Sequence, residues 1–221
     1  MPTHLQREVE KLKNKIMALA AVVEKTVQEA VKSVGARDAE LARKIIDGDT
    51  AIDRTEVDIE EDCLKLLALY QPVATDLRFI IAALKINNDI ERVGDLAGNI
   101  AERARWLCDQ PPVKEPLDFA QMNRKVLAMF RGSLDALMNQ DTQRARQVCS
   151  MDDEVDALNR EMYDKIRAAL RRNPDEVDCL LNYSSVSRLL ERIADGATNI
   201  AEDVIYLVEG TIVRHKPVAL G

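Results

Sequence analysis

Aromatic residues, glycine and proline are all scarce in this chain. Aromatic residues make up 4% of the 221 positions, which include only 8 glycines and 7 prolines. β-Sheets favour aromatic and β-branched side chains, and the many turns that join strands need glycine and proline. Alanine, leucine, isoleucine and valine dominate a sequence that is 47% hydrophobic. The composition therefore favours packed helices over a β-sandwich and supplies enough apolar residues for a sizeable core.

Histidine is almost missing from the body of the chain, because the two histidines are His4 and His215, near the ends. A serine or cysteine nucleophile would lack its usual base, and the Glu-x-x-His pairs of di-iron carboxylate enzymes have no counterpart. The cysteines form no CxxC pair and are expected to be reduced and mostly buried; they are Cys63, Cys108, Cys149 and Cys179. Any metal held by the body of this chain would therefore be bound mainly by oxygen atoms.

Basic clusters, long apolar runs and nucleotide-binding glycine motifs are also absent from the sequence. The chain has 31 basic and 38 acidic residues, a formal net charge of −7 and no basic block suited to direct nucleic-acid binding. It has no run of about 18 apolar residues and no signal peptide, so we expect a cytoplasmic protein without a transmembrane segment. Because a phosphate-binding loop and a dinucleotide fingerprint are missing too, we expect a protein that is not an enzyme.

Six amphipathic helical segments are indicated by apolar residues that recur every three or four positions. They span roughly residues 5–33, 36–70, 74–107, 117–138, 142–171 and 176–208. The breaks between them fall at Val34-Gly35, Pro72, Pro111-Pro112, 139–141 and Pro174. Proline or a cluster of turn-forming residues marks most of these positions, where the helical hydrogen bonds are interrupted.

The order of these segments predicts the domain organisation. Three helices, a linker and three more helices predict an all-α fold of two tandem three-helix bundles related by an internal repeat. The expected parts are a first bundle at 1–109, a linker at 110–116, a second bundle at 117–210 and a tail at 211–221. A homodimer is expected of such amphipathic bundles, although no heptad seam marks its interface.

One acid-rich phrase occurs twice in the sequence, at an offset of 100 residues. It reads ERVGDLAGNIAE at 91–102 and ERIADGATNIAE at 191–202, with eight of twelve positions identical. On a helical wheel the acids lie opposite the apolar residues, and Glu91 and Asp95 place like charges four residues apart. Such pairs destabilise a helix slightly, whereas exposed helical acids usually alternate with lysine or arginine. An acid-only stripe kept in both repeats therefore suggests an external cation.

The turn at Pro72 brings further acids to the level of this stripe. Asp53 and Glu91 each lie 19 residues from Pro72. Asp49 and Asp95 each lie 23 residues from it. Because residues equidistant from the turn lie side by side in an antiparallel helical hairpin, we expect four carboxylates at one level.

The second half repeats this geometry around the turn at Asn173-Pro174. The predicted site residues are thus Asp49, Asp53, Glu91 and Asp95 in the first hairpin, and Asp152, Asp156, Glu191 and Asp195 in the second. Carboxylates this close repel one another and favour a bound cation, and oxygen ligands suit Mg²⁺, Ca²⁺, Mn²⁺ or ferric iron. Three interpretations stay open: a metal-binding regulator, a carboxylate metalloenzyme, and a helical adaptor whose acids are simply solvated.

Two segments resemble the PhoU family of phosphate-uptake regulators, and the resemblance covers nearly the whole chain. The first is DTAIDRTEVDIEEDCLKLLALYQPVATDLRFIIAALKINNDIERVGDLAGNIAE, and the second combines MDDEVDALNREMY with SRLLERIADGATNIAED. The resemblance implies tandem three-helix bundles with multinuclear metal clusters, of iron, manganese, magnesium, calcium or zinc, at the eight acids named above. Asn99 and Asn199 are weaker candidates as ligands or supporting residues. Asn159 stands where the first repeat has Glu56, which is compatible with clusters of unequal nuclearity.

The resemblance also implies a role. Members of this family are negative regulators of phosphate uptake and of phosphate-starvation signalling. They couple the ATPase subunit of the phosphate ABC transporter to a membrane sensor histidine kinase. Within the QPVATDLR segment at 71–78, Asp76 and Arg78 either cap and solvate the start of a helix or contact a partner.

Overall fold

The computed structural model describes residues 4–210, which form six α-helices and one short 3₁₀ helix. The helices are α1 (His4–Ala36), α2 (Ala39–Tyr70), α3 (Ala74–Cys108), α4 (Ala120–Asn139), α5 (Thr142–Arg172) and α6 (Val177–Glu209), with the 3₁₀ helix at Pro174–Glu176. The described part contains no β-strand, and none of its helices combines the length and apolarity needed to cross a membrane. The expected tail at 211–221 lies outside the described residues.

Aspartate side chains fix the starts of two helices. Asp38 accepts a hydrogen bond from the backbone N–H of Leu41 at 2.9 Å, and Asp141 accepts one from Arg144 at 3.0 Å. These are N-caps, which satisfy N–H groups that have no partner within the helix. The break expected at Val34-Gly35 comes slightly later, because α1 continues to Ala36 and the chain turns at Arg37, whose φ is +51°.

The start of α4 also differs from the prediction. The helix was expected from residue 117 but begins at Ala120, whose backbone N–H donates to the Asp118 carboxylate at 2.9 Å. Phe119, just before it, is buried and stacks on Tyr183 of α6 with ring centroids 6.3 Å apart. Packing of Phe119 therefore fixes the chain before the helix begins, which periodicity alone does not reveal.

The six helices form two three-helix bundles, α1–α3 and α4–α6, which confirms the predicted fold. The bundles pack together mainly through α3 and α6, and to a lesser extent through α1 and α4. Helices α3 and α6 therefore each bury two faces. They run antiparallel, with Val93 opposite Gly196, where an added Cβ would lie 3.2 Å from Val93 Cγ2. We call this α3/α6 contact the seam.

Charged side chains also join the bundles. Arg131 of α4 donates to the Glu24 carboxylate of α1, with Nε 2.6 Å from Oε1. At one end of the seam, Lys85 Nζ lies 3.6 Å from Asp203 Oδ1 and 5.4 Å from the ring centre of Tyr206. Asp203 is buried, so its pairing with Lys85 offsets part of the cost of removing its charge from water.

Candidate metal centres

The first acidic cluster lies on the α2–α3 hairpin. The apolar faces of these helices bury Ile52 and Ile90, which turns the neighbouring acids towards the surface. Asp49, Asp53 and Asp95 each offer a carboxylate oxygen, and the three oxygens lie within 4.8 Å of one another. Oxygen ligands around one hard cation have separations of this order, given metal–oxygen distances of roughly 2.0–2.6 Å. The hairpin therefore brings together three of the four acids predicted for this site.

Burial and neighbouring negative charges both raise the pKa values of acids in the first cluster. Burial raises the pKa of Asp49, and the carboxylates of Asp95 and Asp53 raise it further. Burial likewise raises the pKa of Glu91, followed by the charges of Asp95 and Asp53, which places Glu91 beside the same group. The pKa of Asp95 is raised by burial and by Asp53. A cation at this position would relieve both the repulsion and the cost of desolvation.

The second acidic cluster lies on the α5–α6 hairpin. Burial raises the pKa of Asp152, and the charges of Asp195 and Asp156 raise it further. The pKa of Glu191 is raised by burial and then by Asp195, Asp156 and Asp152. The four predicted acids of the second half are therefore neighbours in space. Between residues 4 and 210, however, only the first cluster has three acidic oxygens within 4.8 Å of one another.

Two features distinguish the second cluster from the first. The Thr198 hydroxyl donates to Asp152 at 3.4 Å, whereas the first repeat has Gly98 at the corresponding position. Burial and the charge of Asp156 raise the pKa of Asp195, but Arg92 and Arg192 lower it. Because Arg92 belongs to α3, the other bundle contributes positive charge to this cluster.

The asparagines predicted as weaker candidates lie on α3 and α6, the helices that also carry acids of the two clusters. The Asn99 amide nitrogen donates to the backbone carbonyl of Asp95 at 2.9 Å, and the side-chain oxygen of Asn99 is the atom that could bind a cation. Asn199 is half-buried on α6. Glu102 was not among the predicted ligands, although its charge also raises the pKa of Asp49. Its place on the same acidic stripe was the signal that could have identified it.

Each hairpin also contains a polar contact next to the acids that was not predicted from the sequence. Asn87 of α3 donates to the Glu56 carboxylate at 3.0 Å, and the Ser187 hydroxyl of α6 donates to Asn159 at 2.7 Å. Asn87 and Ser187 are buried, so each occupies a position at which an apolar residue is expected. These contacts fix the axial register of the two helices in each hairpin and so position the carboxylates.

The two clusters are suited to binding cations, because their side chains offer carboxylate oxygens. Both clusters lie on the helical surface and present carboxylate oxygens, which are the ligands that hard divalent and trivalent cations prefer. Burial and neighbouring carboxylates raise the pKa values of Asp49 and Asp152, so the ionised form of each acid is disfavoured at these positions. The residues present therefore fit an oxygen-ligated metal.

A family model and a curated relative both match this chain and point to the same family. The PhoU domain model matches residues 16–104 and 119–204, one match in each bundle. The phosphate-specific transport system accessory protein PhoU homolog of Aquifex aeolicus is 39% identical over 212 residues, covering 96% of each chain.

Solved structures agree in fold. The crystal structure of PhoU from Pseudomonas aeruginosa superposes with a TM-score of 0.88 at 35% identity, covering 93% of this chain and 99% of that one. The phosphate transport system regulatory protein PhoU from Streptococcus pneumoniae gives a TM-score of 0.87 at 28% identity, covering 95% and 99%. On the two domain matches and the similarity over almost the full length, this chain belongs to the PhoU family.

Proposed function

We propose that this chain is an accessory protein of a phosphate-specific transport system, and that it restrains phosphate uptake and phosphate-starvation signalling. The names of the relatives from Aquifex aeolicus and Pseudomonas aeruginosa, both called phosphate-specific transport system accessory proteins, support the link to transport. In this proposal the chain is a cytoplasmic homodimer that contacts the transporter ATPase subunit and a membrane sensor histidine kinase. It acts by binding and has no catalytic step of its own.

Metal binding by the two acidic clusters is the chemical part of the proposal. The observation that carries it is the meeting of Asp49, Asp53 and Asp95 within 4.8 Å, with Glu91 beside them. The residues that would hold the metals are the eight predicted acids, as multinuclear clusters of iron, manganese, magnesium, calcium or zinc. A bound cation would remove the repulsion between α2 and α3, or between α5 and α6, and would present a less negative surface to partners.

Metal content measured by elemental analysis tests this part. Protein without a histidine tag would be incubated with iron, manganese, magnesium, calcium and zinc in turn and then dialysed. We expect several ions per chain in the wild type and loss of about half of them in Asp53→Asn/Glu91→Gln, because the second hairpin is untouched. The matched double variant Glu40→Gln/Asp58→Asn removes two exposed acids outside the clusters and should keep the full content. No ion retained by the wild type would contradict the proposal.

The partners are tested separately, by co-purification of the chain with the transporter ATPase subunit and the sensor kinase of the same organism. We expect both to be retained at high phosphate. Retention of neither would contradict the regulatory proposal, whatever the metal content.

A further inference from the structure

A basic groove lies on the seam, and none of the eight predicted acids is among its lining residues. It has a volume of about 280 Å³. Its lining residues come from both bundles: Asn99 and Arg103 from α3, and Ser185, Arg188, Leu189 and Arg192 from α6. Three guanidinium groups therefore share one open groove in a protein whose net charge is −7.

None of the three arginines forms an ion pair with an acid of residues 4–210. Arg103, Arg188 and Arg192 are exposed, and none forms a hydrogen bond or an ion pair within 4.0 Å with any residue of the described range 4–210. The positive charge of Arg188 offsets part of the rise in the pKa of Glu191, and that of Arg192 offsets part of the rise in the pKa of Asp195. The N–H groups of these guanidinium side chains are therefore available to hydrogen-bond a ligand or solvent.

The internal repeat provides a comparison within the same molecule. Because the repeats are offset by 100 residues and the seam is antiparallel, the opposite end of the seam presents the equivalent positions. There Ser185, Arg188, Leu189, Arg192, Asn99 and Arg103 are replaced by Lys85, Asn88, Asp89, Arg92, Asn199 and Asp203. At that end Lys85 pairs with Asp203, so the charge is balanced. If the fold required three free arginines at the seam, both ends would carry them.

We propose that Arg103, Arg188 and Arg192 bind a phosphate group, carried either by inorganic phosphate or by a small phosphate ester. Guanidinium groups donate paired hydrogen bonds that match the spacing of phosphate oxygens. One doubly charged phosphate can therefore accept hydrogen bonds from several guanidinium groups at once. An apolar ligand is disfavoured because Leu189 is the only large apolar side chain in the lining. The inference does not depend on metal binding by the acidic clusters.

Phosphate titration by calorimetry tests the groove, at low ionic strength and with both chelated and Mg²⁺-loaded protein. We expect saturable binding of inorganic phosphate that weakens about tenfold or more in Arg103→Gln/Arg188→Gln, since two charge-assisted contacts are lost. The variant Arg7→Gln/Arg124→Gln removes the same charge from exposed arginines on α1 and α4 and should bind as the wild type does. Circular dichroism would establish that all variants remain folded.

A second variant separates the groove from the metals. In Asp156→Asn/Glu191→Gln, phosphate bound by the arginines should be held as tightly as in the wild type or more tightly, because nearby negative charge is removed. Binding that is lost in this acid variant but survives in the arginine variant would place the phosphate on the metals and overturn the inference. Titration with AMP alongside inorganic phosphate distinguishes an ester from the free ion. The inference is also overturned if neither binds, or if only an acidic peptide binds.

Discussion

The buried amide of Asn87 on α3 donates to both the backbone carbonyl and the carboxylate of Glu56 on α2, at 2.9 Å and 3.0 Å. This is a link across the hairpin, immediately beside the first acidic cluster. It fixes the axial register of α3 relative to α2 and so determines which carboxylates face each other. The corresponding link in the second hairpin, from Ser187 to Asn159, serves the same purpose with smaller side chains.

Loss of the Asn87 amide should therefore affect both stability and metal binding. We expect Asn87→Ala to lower the free energy of unfolding by about 1–3 kcal/mol, because two buried hydrogen bonds are lost. Metal content at the first hairpin should fall as well. Urea unfolding and elemental analysis would measure the two effects, with Asn14→Ala on the exposed face of α1 as the control. Unchanged stability would mean that the link is not needed for the hairpin.

Removal of one acid from the first cluster should stabilise the metal-free protein. In Asp53→Asn, less repulsion is left between α2 and α3, so we expect a gain of roughly 0.3–1 kcal/mol. The same change should reduce the rise in melting temperature caused by Mn²⁺, because a ligand is lost. Thermal unfolding with and without Mn²⁺ measures both. Asp58→Asn, at an exposed acid of α2, should show neither effect. A loss of metal-free stability in Asp53→Asn would indicate that the acid has a favourable partner.

The pH dependence of the metal-free protein should show the same repulsion. The pKa values of Asp49 and Asp95 are raised above 3.8, and that of Glu91 is raised above 4.5. Between the unfolded and folded pKa values the folded chain binds more protons, so these groups lower stability as the pH rises through that interval. At about pH 7 the wild type should therefore be less stable than Glu91→Gln/Asp95→Asn.

The difference in unfolding free energy between those two proteins should shrink as the pH is lowered towards about 4, where the acids become protonated. Urea unfolding at several pH values in the presence of a chelator measures this. A difference that does not change with pH would rule out charge repulsion as its cause.

Close approach at the seam gives a prediction about glycine. A side chain at Gly196 would meet Val93 of α3, whereas nothing lies within 4 Å of a Cβ added at Gly48 of α2. We expect Gly196→Leu to destabilise the fold by roughly 1–3 kcal/mol or more, through overpacking. The matched change Gly48→Leu should be neutral or stabilising, because leucine favours an exposed helix more than glycine does. Denaturant unfolding compares the two, and equal effects would show that the seam is not tightly packed at this point.

The sequence was sufficient to predict the six helices and the close approach of Asp49, Asp53 and Asp95 in the first hairpin. The positions of the turns at Pro72 and Asn173-Pro174 predict the register of the two helices in each hairpin. The i, i+4 spacing of the acids shows that they share one face of a helix. Both signals are local or depend on a short turn, so they can be counted along the chain. Small errors at Gly35 and Leu117 arose where a helix end depends on a cap or on tertiary packing.

The relation between the two bundles could not be predicted in the same way. Periodicity shows that α3 and α6 are apolar on a broad face but not that each is shared between two neighbours. The effect of Arg92 on Asp195 follows from that packing, since the two residues are far apart in sequence and belong to different bundles. For the same reason the basic groove around Arg103 and Arg188 combines residues that no linear motif connects.

The seam has a consequence for the origin of the molecule. Two similar halves meet across an antiparallel helix pair, so the interior of one chain has the geometry of a two-fold symmetric dimer. An ancestral half-length protein could have buried the same face by pairing with a second copy, and joining the two copies would have freed each half to change independently. Lys85 pairs with Asp203 at one end of the seam, whereas the groove at the other end contains three arginines, a difference that a symmetric dimer of identical halves could not show.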